Sequence, residues 1–119
     1  MIRSDRELAR QLASALSSSN DVLVSQGAGK VEETLAKTSR APAHFLDPVT
    51  AMAIASLIVK VAELSFKIWK ELKDSKEAPE KEQLKKRIVD SLPAKDTAVA
   101  GLTEIVSEAV EAIIRGLSE

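Results

Sequence analysis

The chain has 119 residues, 17 basic and 18 acidic, with no cysteine, one histidine and an aromatic share of 3%. That length suits a single domain with a real core, and the balanced charge excludes a dedicated nucleic-acid binder, which is usually basic. The lack of cysteine excludes a disulfide scaffold, thiolate metal sites and a cysteine nucleophile, and so few aromatics argue against base-stacking platforms.

The first predicted element is a helix over residues 4–18. Ser4 followed three residues later by Glu7 has the form of a capping box. Leu8, Leu12, Ala15 and Leu16 recur behind it at helical spacing. The run Ser17, Ser18, Ser19, Asn20, Asp21 ends it, because these side chains compete with the helix for backbone groups.

Residues 21–39 carry a weaker pattern. Asp21 can cap a helix that buries Val24, Ala28, Val31 and Leu35. Gly27 and Gly29 each cost it about 1 kcal/mol relative to alanine. Val22, Leu23 and Val24 also read as a short strand, but the sequence offers no partner strand. Helix is preferred, at least over residues 30–38. Residues 39–48 read as a loop, since Pro42 and Pro48 push the residues before them away from helix.

Asp47 as N-cap and Pro48 at the first helical position open the dominant element, at about 48–74. Lys60, Glu63, Lys67, Lys70, Glu71 and Asp74 fall in one stripe of its wheel. Ile54, Leu57, Ile58, Val59, Val61, Ala62, Leu64, Phe66, Ile68, Trp69 and Leu72 fill an apolar arc about 220° wide, twice what a surface helix needs. Pro79 breaks the pattern. A short charged helix over 80–92 follows, with Leu84, Ile88 and Leu92 at four-residue intervals. The last helix is expected over 96–117, from Val99 to Leu117 along its apolar side, with Glu104, Glu108, Glu111 and Arg115 opposite. The fold class is all-α: a four- to five-helix bundle in one domain over 1–119, with a long, broadly apolar central helix.

No catalytic, cofactor-binding or metal-binding residue is expected. Gln26, Gly27, Ala28, Gly29 and Lys30 resemble part of a phosphate loop, but Val24 and Val31 stand where its glycine and hydroxyl belong. His44 has neither the companions of a zinc site nor those of a general base. The Glu104, Glu108, Glu111 row reads as a solvated face. Lys81, Lys85, Lys86 and Arg87 are diluted by Glu77, Glu80, Glu82 and Asp90, so no specific nucleic acid is expected. Residues 60–95 hold 10 basic and 7 acidic groups, net +3; residues 96–119 hold 1 and 5, net −4.

The charged N-terminus lacks the apolar stretch of a secretory signal, and the run 48–59 is shorter than the ~20 residues of a membrane span. A cytoplasmic protein is expected. An arc so wide must be covered by neighbouring helices, by a partner or by a membrane surface. The expected function is a non-enzymatic helical interaction or oligomerisation module, an adaptor or a self-assembling protein. Its partner is another protein or a second copy, with Ile58, Val59, Phe66 and Trp69 as interface anchors. The alternative is a membrane-active helical effector acting through residues 48–74.

Overall fold

Helix α1 spans Asp5–Leu16. The Ser4 hydroxyl accepts a hydrogen bond from the Glu7 amide at 3.1 Å, so the expected cap forms. The chain is seen here in a computed structural model that describes residues 4–36, 49–75, 80–97, 99 and 101–118. Regular structure among the described residues is entirely helical.

Asp21 accepts from the amides of Leu23 and Val24 and opens α2, Val22–Gly29. The strand alternative for residues 22–24 therefore falls away, and the phosphate-loop resemblance lies on a helix and its end. The helix expected over 21/30–38 is divided. Lys30 leaves helical geometry at φ −102°, ψ 4°, and its amide closes α2 on the carbonyls of Gly27 and Ala28. Helix α3, Val31–Ala36, then resumes. Val24, Ala28, Val31 and Leu35 are all buried, as their spacing requires. The loop over 39–48, His44 and the Asp47–Pro48 helix start lie outside the described residues.

Helix α4, Val49–Ser75, is the expected central helix. Its 27 residues make it about 40 Å long at ~1.5 Å per residue, close to the 45 Å longest dimension of the molecule. Helices α1, α2 and α3 pack against it, as does α7. Helix α5, Lys81–Asp90, packs chiefly on α7. Gln83 Oε1 accepts from the Glu80 amide at 3.4 Å to fix its start.

The helix expected over 96–117 is also two pieces. A single turn, α6 (Ala94–Thr97), is followed by α7, Leu102–Ser118. The break has a clear cause. Gly101, directly before α7, holds φ at +90°, a left-handed value that no continuous helix through this point can contain. Val99 is therefore half-buried in the connection rather than on the face of α7.

The core runs through every helix from α1 to α5 and through α7. Leu8, Leu12 and Leu16 of α1 join Ile54, Ile58 and Val61 of α4, Leu84 and Ile88 of α5, and Ile105 and Ile113 of α7. Ion pairs between elements decorate its rim. Arg10 pairs with Glu32, Arg87 with Glu71, Lys60 with Asp96 at 2.8 Å and Lys81 with Glu111 at 2.7 Å. The last two join the basic middle of the chain to its acidic end.

Candidate functional site

The burial pattern divides the broad arc of α4. Ile54, Leu57, Ile58, Val61, Ala62, Ile68, Trp69 and Leu72 are buried and form its centre. Val59, Leu64 and Phe66 are only half-buried and form its edges. Val59 and Phe66 are seven residues apart, two helical turns, so they share one shoulder. Leu64 lies on the other side.

The four proposed anchors are thus placed differently. Ile58 is 0% exposed and packs wholly inside the chain's own core. Trp69 is 7% exposed and belongs to the core. Val59 and Phe66 present apolar surface outward. Phe66 and Trp69 are brought together, with ring centroids 5.9 Å apart and planes 23° from parallel.

Two lysines roof this pair. Lys70 Nζ lies 5.6 Å from the Phe66 ring centre and Lys73 Nζ 4.7 Å from that of Trp69. Contacts of this kind contribute about 0.5–1 kcal/mol each where exposed to solvent. Wheel reasoning left Lys73 out of the charged stripe. The signal for it was its position four residues after Trp69, the separation at which helical side chains meet.

Near Val59 the shoulder opens into a groove of about 450 Å³ between α1, α3 and α4. Leu35 and Val59 supply its apolar lining, and Asp5, Arg6, Lys60 and Glu63 its charged lining. Two of these charges are already engaged. Arg6 donates to the Leu35 carbonyl at 3.2 Å, and Lys60 pairs with Asp96.

Beneath the shoulder are two polar atoms that the sequence did not flag. Ser65 Oγ and Trp69 Nε1 are buried and meet no hydrogen-bonding group among the described residues. They stand one turn apart on α4. A lone hydroxyl within an apolar arc gives no sequence cue to whether it finds a backbone acceptor, so Ser65 was illegible.

The hydrogen bond and the charge of Lys81 hold the Glu111 carboxyl below its ordinary value. Glu32, by hydrogen bond and charge, raises Arg10, which is cationic in any case. Among the described residues no three histidine, cysteine or carboxylate side chains come together as metal ligands would. No helix among them is long and apolar enough to cross a membrane. What the arrangement offers is an apolar, lysine-capped ledge on a rigid helix. Comparison with protein-family models, curated proteins and solved structures gives no match for the chain.

Proposed function

We propose that this chain is a non-enzymatic helical interaction module that uses the Val59–Phe66 shoulder of α4 to bind another protein surface. One observation carries the reading. Phe66 stays only partly buried and stacked on Trp69 at the edge of the core, on the same shoulder of α4 as the partly buried Val59. Aromatic side chains at the edge of a rigid element are the usual anchors of protein interfaces. Ile58 serves the module from inside, by fixing the helix that displays the shoulder.

Solution mass by light scattering, over a hundredfold range of concentration, tests the self-assembling form. Mass above the 12.8 kDa of one chain, falling in Phe66→Asp without loss of helical circular dichroism, supports assembly through the shoulder. Mass that rises equally in Phe66→Asp places the contact elsewhere and removes the shoulder from the reading. A monomer at every concentration leaves a different protein as the partner.

A further inference from the structure

We draw no further inference here: the strongest candidate, the groove between α1, α3 and α4 that opens from the shoulder at Val59, sets Asp5 and Glu63 beside Arg6 and Lys60 in one mixed-charge lining, and nothing in the structure shows what covers it.

Discussion

A Cβ at Gly101 would lie 2.5 Å from Val24 Cγ2, closer than side-chain carbons ever pack. The backbone there is also left-handed, at φ +90°. Gly101→Ala therefore combines conformational strain with overpacking and should destabilise the fold by about 2–4 kcal/mol. Urea denaturation measures this directly. Ser65 should respond in the opposite sense. Its hydroxyl is buried without a partner among the described residues, so Ser65→Ala removes a desolvated polar atom and should raise stability by about 1 kcal/mol. Ile58→Ala, which opens a cavity in a fully buried site, should cost about 2–5 kcal/mol. Comparing it with Phe66→Asp separates a core residue from a shoulder residue on the same helix. Neither Gly101 nor Ser65 was legible in advance. A glycine shows its φ only once the chain is folded, and the apolar period of α7, read backward through Val99, hides the break at Gly101.

At the scale of elements, the wide arc of α4 was legible because burial follows helical period faithfully over 27 residues. Its edges were not, since the same apolar residue types fill the closed centre and the open shoulder. The division between α2 and α3 was hidden for a related reason. Val24, Ala28, Val31 and Leu35 keep helical spacing straight through the interruption at Lys30, so the pattern reads as one helix. Between α5 and α7, the Lys81–Glu111 pair makes a pH prediction. The folded-state value of Glu111 is depressed below 4.5. Its contribution is therefore fully present above the unfolded value and is lost as pH falls through the folded one. Lys81→Met should remove that part of the acid sensitivity, seen as a shallower loss of thermal stability below about pH 4.5. An NMR titration of the Glu111 carboxyl in both proteins checks the cause. The effect is small because the pair is exposed to solvent.

Across the whole molecule, the charge imbalance between residues 60–95 and 96–119 is partly settled within one chain. Lys60–Asp96 and Lys81–Glu111 join the two regions. The candidate site was half legible on this scale. Val59 and Phe66 could be picked from the arc, but the lysine roof and the missing hydrogen bonds depend on which neighbours arrive. One continuous core, reaching from α1 to α7, also implies one cooperative transition. Trp69 fluorescence and far-UV circular dichroism should give coincident denaturation curves. A fluorescence midpoint at lower denaturant would show that the end of α4 opens separately.

The order of elements along the chain bears on how this bundle is made. Helices α1, α2 and α3 precede α4, whereas α7, its other long neighbour, follows it. A chain emerging from the ribosome can clothe one flank of α4 as soon as that helix is complete. The surface that α7 covers on α4 and α1 stays bare until the final seventeen-residue helix has been synthesised. During that interval the nascent protein exposes an aliphatic strip along most of its length, a natural ligand for a ribosome-associated chaperone. A chain stopped before α7 would keep that strip permanently and should be recovered in aggregates.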